Sequence, residues 1–322
     1  MSEAAVSFKN VTKTFGEVIA NSDVNLDIKR GEILSLLGEN GSGKTTLMNM
    51  LSGIYYPDSG QIFINGRSVI IRSPKDAFDL GIGMVHQHFK LIDVLTTTEN
   101  IVLGLEGKLN LREAEEKIKV ICDKYGFEID PHKKIYDMSV SEKQTVEIVK
   151  VLYRGAEILI LDEPTVGLDP GQIIEIRDLI RQLGEDHTVI LSSHILPEVQ
   201  AICNQILIIH KGKLVAFDTP ESLEKNLSAD NSIELTAEAA AMDLEVLMSS
   251  LSEVEKFSLL EETEDYCRAV VSVGDRDPGP VCRKIFLLCV ERGTVLRQLN
   301  PARVLLEDVF LELTGQDESA DS

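Results

Sequence analysis

The sequence predicts an α/β fold around a mostly parallel, buried sheet, and three observations point to it. Through residue 215, short β-branched or aliphatic runs alternate with amphipathic stretches: 32–37 then 45–52, 158–162 then 171–183, 188–192 then 197–203, and 205–210. That rhythm is the sequence form of strand–helix–strand units. A glycine-rich loop joins the first run to the first stretch, where a helix N-terminus suits phosphate. The run Ile158-Leu159-Ile160-Leu161 then delivers two carboxylates, Asp162 and Glu163, to the strand end at which such sheets hold ligands.

Between the first two units, residues 112–151 read as helical, because Ile118, Ile121, Cys122 and Tyr125 recur at helix spacing. A helical subdomain of about 88–152 is therefore expected as an insertion in a sheet domain of 1–220. A strand at 213–217 and the dipeptide Thr219-Pro220 mark the expected boundary. Beyond it, strands at 233–236, 254–260, 266–273 and 294–299 and helices at 239–251, 281–291 and 302–313 predict a small C-terminal α+β domain of 221–322, ferredoxin-like in order. The polar end, QDESADS, reads as frayed.

The chain has 322 residues, 43% hydrophobic and 26% charged, which is globular composition and exceeds what one core usually organises. Its apolar runs are far shorter than the roughly 20 residues of a membrane-spanning helix. The N-terminal MSEAAVSFKN lacks a basic segment followed by an apolar stretch, so no secretory signal is expected. Five cysteines without CxxC spacing argue against a disulfide framework and a zinc site. Net charge is -21, and residues 217–322 hold 23 acidic against 9 basic side chains, which disfavours nucleic acid as a partner.

The chemistry concentrates in Gly38-Glu39-Asn40-Gly41-Ser42-Gly43-Lys44-Thr45, a complete G-x-x-x-x-G-K-[ST] phosphate loop, followed by Thr46. Lys44 is placed to reach β- and γ-phosphates and Thr45 to ligate Mg²⁺. Asp162 is placed to hold the Mg²⁺ shell, and Glu163 to orient and polarise the attacking water.

These motifs make residues 4 to about 220 resemble the ATPases of ABC transporters. The resemblance implies a P-loop NTPase, an ABC-type ATPase sheet domain with ATP and Mg²⁺ as its ligands. It also implies further roles. Phe15 in KTFG resembles the aromatic that stacks on adenine, Gln87 in GMVHQHF the glutamine that reaches Mg²⁺, and His194 the histidine at the γ-phosphate. Asp169 in Gly167-Leu168-Asp169 resembles the loop that crosses to a second subunit. In this family two such domains sandwich two ATP molecules, each held by one phosphate loop and the other subunit's signature, usually LSGGQ. Here the stretch is Met138-Ser139-Val140-Ser141-Glu142: two glycines are replaced, and Glu142 stands near a polyanion. Implied partners are a transmembrane permease and a second ABC ATPase subunit, with the chain peripheral on the cytoplasmic face of the membrane.

Residues 5 to about 160 resemble ATPases of nucleoside and simple-sugar importers. From about Val166 onward the sequence is similar to gliding-motility-type exporter ATPases, the two likenesses meeting within Asp162 to Thr165. Two functional readings follow: an ATPase energising transport, or a nucleotide-gated module with little turnover that serves as the degenerate half of a heterodimer. A third, an ABC protein of DNA repair or translation, is opposed by the acidic balance.

Overall fold

Strands form where the apolar runs lie. Ile33–Leu37, Ile158–Asp162 and Thr188–Ser192 are buried along their whole length, as strands covered on both faces must be. In the computed structural model, which describes residues 4–105, 107, 110–227, 231–274, 276–301 and 306–315, they belong to a six-stranded sheet. Its order is Lys213–Asp218, Gln205–His210, Ile33–Leu37, Thr188–Ser192, Ile158–Asp162, Ile82–Val85. Neighbours run parallel except the first pair, which is antiparallel. Parallel registry decides the site: Leu36 pairs with Ser192, and Ser192 with Asp162. Three strands from distant parts of the chain therefore end side by side.

A second sheet is absent from the sequence-based expectation. Val18–Lys29, Ala4–Phe15, Ser59–Ile64 and Arg67–Val69 pair antiparallel in that order. Register shifts along the first two strands break the strict alternation by which a strand is recognised. Phe15 is the last residue of the strand Ala4–Phe15. Phe8, Val11, Leu26 and Ile28 from this sheet share a core with Leu34, Leu47 and Met48 of the phosphate-loop strand and helix.

The helical insertion also needs correction. The stretch 112–151 is not continuous helix: Leu111–Tyr125 ends at Gly126, whose φ of 70° is a left-handed cap, and Val140–Tyr153 starts anew. A shorter helix, Thr97–Val102, precedes both. Ile118 and Cys122 from the first of these pack with Ile101, Ile135, Val146 and Val149.

The chain divides into two units, Met1–Pro220 and Glu221–Ser322. In the second, Ser232–Glu238, Ala241–Ser249, Lys256–Glu262, Cys267–Ser272, Pro278–Arg292 and Val295–Pro301 follow one another as β-α-β-β-α-β. The sheet is antiparallel, and its second, third, first and fourth strands adjoin in that order, the ferredoxin-like arrangement. Ile233, Leu235, Leu244, Met248, Val271 and Ile285 make its core. The terminal helix is Leu306–Gly315; the start expected at Ala302 and the QDESADS end lie outside the described residues.

One carboxylate brackets the strand that ends at Phe15. Asp58 accepts from the Thr14 N–H at 2.7 Å and the Thr14 hydroxyl at 2.8 Å, and pairs with the Lys13 ammonium at 2.8 Å. The Lys13 hydrogen bond, then the two from Thr14, hold its pKa down at about 2. Because this lies below the ordinary aspartate value of 3.8, the stabilisation is fully present above 3.8 and is lost as pH falls through about 2. Carboxyl-resolved NMR titration should place the Asp58 midpoint near 2, and Lys13→Met should raise it; an unshifted Asp58 contradicts the bracket.

Candidate nucleotide-binding site

The phosphate loop connects a buried strand to a helix in six residues, Gly38 to Gly43, and two of its glycines are where it touches other segments. Gly43 lies at φ 108°, and a Cβ there would come within 2.1 Å of the Ala20 carbonyl oxygen. At Gly38 a Cβ would meet the Ile209 carbonyl oxygen at 2.4 Å. Neither approach is open to another L-residue. The loop is tied down besides: Gly212 donates its N–H to the Ser42 carbonyl at 3.0 Å, and Asn21 Nδ2 donates to the Gly43 carbonyl at 3.3 Å. Helix Lys44–Leu51 opens at the loop's end with no side-chain cap, which leaves its N-terminal N–H groups facing the loop.

Lys44 is buried, 7% exposed, and its ammonium donates to the carbonyls of Gly38 at 2.6 Å and Glu39 at 3.1 Å. Burial pushes its pKa below the usual lysine value, and the carboxylates of Glu163, Asp162 and Glu39 oppose that shift. The loop lysine and the strand-end acid pair are therefore close enough to sense one another's charge. Ser42 Oγ is buried without a hydrogen-bond partner among the described residues. A ligand acceptor at the loop would satisfy it. Thr45 is exposed, Thr46 half-buried, and Glu39, Asn40 and Gly41 form the exposed rim.

Across the strand ends, Ser192 is the central contact. Fully buried, it donates its hydroxyl to Asp162 Oδ1 at 2.7 Å, and both its carbonyl and its Oγ accept the Glu163 N–H at 3.2 Å. Glu163 adopts a φ of 50°, a left-handed conformation unusual for a residue with a side chain. Its carboxylate meets His194 Nδ1 at 2.9 Å, with the Glu163 side chain 12% and the His194 side chain 59% exposed. Gln87 lies exposed just past strand Ile82–Val85, the next strand in the sheet. Thr45, Asp162 and Gln87 offer hydroxyl, carboxylate and amide oxygens, the hard donors that Mg²⁺ takes.

Phe15 is 43% exposed, packs edge-on against Tyr55 with centroids 5.0 Å apart, and has the Lys13 ammonium 5.3 Å from its ring. Such an exposed ring, braced at its edge, offers a face to a planar base. Tyr55 and Lys13 escaped the sequence reading; the YYPDSG run held the tyrosine but carried no spacing that tied it to Phe15.

The signature residues sit elsewhere. Among the described residues no hydrogen bond joins Ser139, Val140, Ser141, Glu142 or Asp169 to the phosphate loop. Ser139 caps helix Val140–Tyr153: its hydroxyl accepts the Glu142 N–H at 3.2 Å, and Glu142 accepts the Ser139 N–H at 2.8 Å. Glu142 also pairs with Lys133 at 2.6 Å, and that partner, then the Ser139 N–H, hold its pKa below the usual glutamate value. The carboxylate expected to repel a polyanion is thus partly neutralised within its own helix terminus. Asp169 likewise caps helix Pro170–Asp186, accepting the N–H groups of Gly171 at 2.9 Å and Gln172 at 3.0 Å.

Two loop clamps went unread in the sequence. Buried Glu147 accepts the Lys90 N–H at 2.7 Å while Lys150 donates to the Lys90 carbonyl at 3.2 Å, so the helix that starts at Ser139 grips the segment after Gln87. Thr165 Oγ1 donates to Glu198 Oε2 at 2.7 Å, and both side chains are buried. No helix among the described residues is long and apolar enough to cross a membrane.

The chain is similar to known proteins in sequence and fold. A family model described as ABC transporter matches residues 21–166. The nucleoside import ATP-binding protein NupA of Lactococcus lactis is 44% identical over 258 residues, covering 76% of this chain and 51% of that protein. The guanosine import ATP-binding protein NupO of Bacillus subtilis is 47% identical over 216 residues, covering 66% and 42%. The chain thus spans about half the length of these curated relatives. A dimeric cassette, MJ0796, solved in a post-hydrolysis state with ADP and phosphate, is similar at 27% identity and a TM-score of 0.58, covering 66% of this chain and 98% of that one. With a phosphate loop at the end of a central parallel strand and likenesses of this kind, the chain carries an ABC-type ATPase cassette of the P-loop NTPase fold.

Proposed function

We propose that this chain hydrolyses ATP to drive a separate membrane permease in an import system, with residues 1–220 as the ATPase domain and 221–322 as an accessory domain. The observation that carries the reading is the acid pair at adjoining strand ends: Ser192 binds the Asp162 carboxylate and the Glu163 N–H, Glu163 meets His194, and both carboxylates act on the charge of Lys44 in the phosphate loop. The loop N–H groups and the N-terminus of helix Lys44–Leu51 receive the β- and γ-phosphates. Lys44 exchanges the Gly38 and Glu39 carbonyls for phosphate oxygens, and the Ser42 hydroxyl gains an acceptor. Phe15 stacks on adenine, with Tyr55 and Lys13 holding its ring.

Thr45, Asp162 and Gln87 would hold Mg²⁺, which when bound neutralises charge on the phosphates. Glu163 orients a water in line with the γ-phosphorus and takes its proton as the new P–O bond forms and the bond to the ADP oxygen breaks. His194, held by the Glu163 carboxylate, donates toward the γ-phosphate. A second ATPase subunit presents its Ser139 to Glu142 terminus to the same nucleotide and its Asp169 loop to the interface; the dimeric cassette with ADP and phosphate supports that pairing. The helical subdomain of about 88–152 docks on the permease at the cytoplasmic face of the membrane.

Import is favoured by the names of NupA and NupO, and nucleosides are the cargo class they suggest. The exporter likeness from Val166 onward rests on the sequence alone. The altered signature favours one second reading, a low-turnover half of a heterodimer, because the Ser139 N–H at the helix terminus is already bound to Glu142. Glu163→Gln separates the two: on the first reading phosphate release falls by about 100-fold or more while ATP binding persists. Equal rates in wild type and Glu163→Gln remove Glu163 from catalysis. Gly43→Ala should abolish ATP binding measured by calorimetry, since its Cβ would sit 2.1 Å from the Ala20 carbonyl oxygen; retained binding would show that the loop can move aside.

A further inference from the structure

Glu163 and His194 belong to different loops, one after strand Ile158–Asp162 and one after strand Thr188–Ser192. Their 2.9 Å contact is therefore set by how the two loops are held. Ser192 fixes the root of the first loop by gripping the Glu163 N–H. It does not reach past that residue, and the mostly exposed His194 side chain is not fixed by packing.

The second tie lies further along both loops. Thr165, two residues after Glu163, donates its hydroxyl to the carboxylate of Glu198, four residues after His194, at 2.7 Å. Thr165 is 5% and Glu198 7% exposed, and among the described residues the Glu198 side chain has no cationic partner. A carboxylate buried without a cation is costly, so its one hydrogen bond is demanding about where its donor sits. Backbone bonds pass this constraint to both loops. The Thr165 carbonyl accepts the Leu168 N–H and the Glu163 carbonyl the Val166 N–H, both at 3.3 Å, which shapes the turn leading to Asp169. On the other side the Glu198 N–H donates to Ile195 at 3.1 Å, and the Ile195 N–H to Ser193 Oγ at 3.1 Å, which enclose His194.

We infer that the Thr165–Glu198 hydrogen bond is a buried strut that sets the spacing of Glu163 and His194, and that both are positioning residues for hydrolysis. The inference rests on the reading of Glu163 and His194 as the hydrolytic pair. Both side chains are buried and spend their hydrogen bond on each other, so on this inference removing the strut alters turnover and leaves ATP affinity alone. A displacement of about 1 Å at a reacting group is enough to cost up to about 100-fold in rate.

Single-turnover hydrolysis of Mg-ATP by the purified full chain, with enzyme in excess and affinity measured separately by calorimetry, tests it. Thr165→Val and Glu198→Leu should each lower the rate about 10- to 100-fold with ATP affinity within about 2-fold of wild type. Thr165→Ser and Glu198→Gln, which keep a donor and an acceptor, should recover most of the rate; these conservative variants keep the test decisive should the apolar ones fold poorly. Wild-type rates in Thr165→Val and Glu198→Leu, alongside a strong loss in Glu163→Gln, overturn the strut and leave the hydrolytic reading standing. Loss of affinity in step with rate, unrescued by the conservative variants, also overturns it. An unchanged rate in Glu163→Gln overturns the underlying reading, and the strut with it.

Discussion

Parallel pairing through Ser192 is the constraint on which the site depends. Because Leu36 and Asp162 both register with Ser192, the exit of the phosphate-loop strand and the exit of the acid-pair strand cannot separate without breaking the central sheet. The Ser192 hydroxyl then does two tasks at that junction, donating to Asp162 and accepting from the Glu163 backbone. A left-handed φ at Glu163 costs energy of order 1 kcal/mol, and the Ser192 bonds offset it. The strain has a geometric use: it turns the Glu163 side chain toward His194 while Asp162 stays on the sheet line.

Much of this arrangement was legible because it is local. Seven residues from Gly38 to Lys44 declare a phosphate loop, and four apolar residues before Asp162 declare a buried strand whatever surrounds them. The antiparallel sheet was not legible, since register shifts between Ala4–Phe15 and Val18–Lys29 erase the period of two. The break at Gly126 was missed because Ile118 to Tyr125 and the residues from Val140 onward share helical periodicity, which hides the left-handed cap at Gly126 and the short 3-10 turn Ile135–Asp137 between them. The partners that steady the site were hidden for a different reason. Ser192, Glu147, Thr165 and Glu198 act through contacts 29 to 57 residues away in sequence, and nothing in the residue types beside them announces those contacts.

Glu142 illustrates how local structure changes the meaning of a charge. In the sequence it replaces a neutral amide where a polyanion is expected, and Coulomb's law alone counts it as repulsive. In the fold it completes a capping box with Ser139 and pairs with Lys133 from the segment ahead of the helix, so its charge is partly neutralised by local partners. The same economy recurs at Asp169, whose carboxylate closes the N-terminus of Pro170–Asp186. Meanwhile the polar face of helix Val140–Tyr153 grips the backbone at Lys90 through Glu147 and Lys150. The loop after Gln87 and the Ser139 terminus are thereby built into one body.

The central claim is that a ligand held by the Gly38–Lys44 turn also touches the acid that ends a different strand. Calorimetric titration of wild type and Asp162→Asn with ATP, with magnesium present and then with it chelated, tests this most directly. The account predicts that magnesium tightens ATP binding to wild type and leaves the Asp162→Asn affinity nearly unaltered. Equal tightening of both proteins, or no ATP uptake by wild type at all, would contradict it.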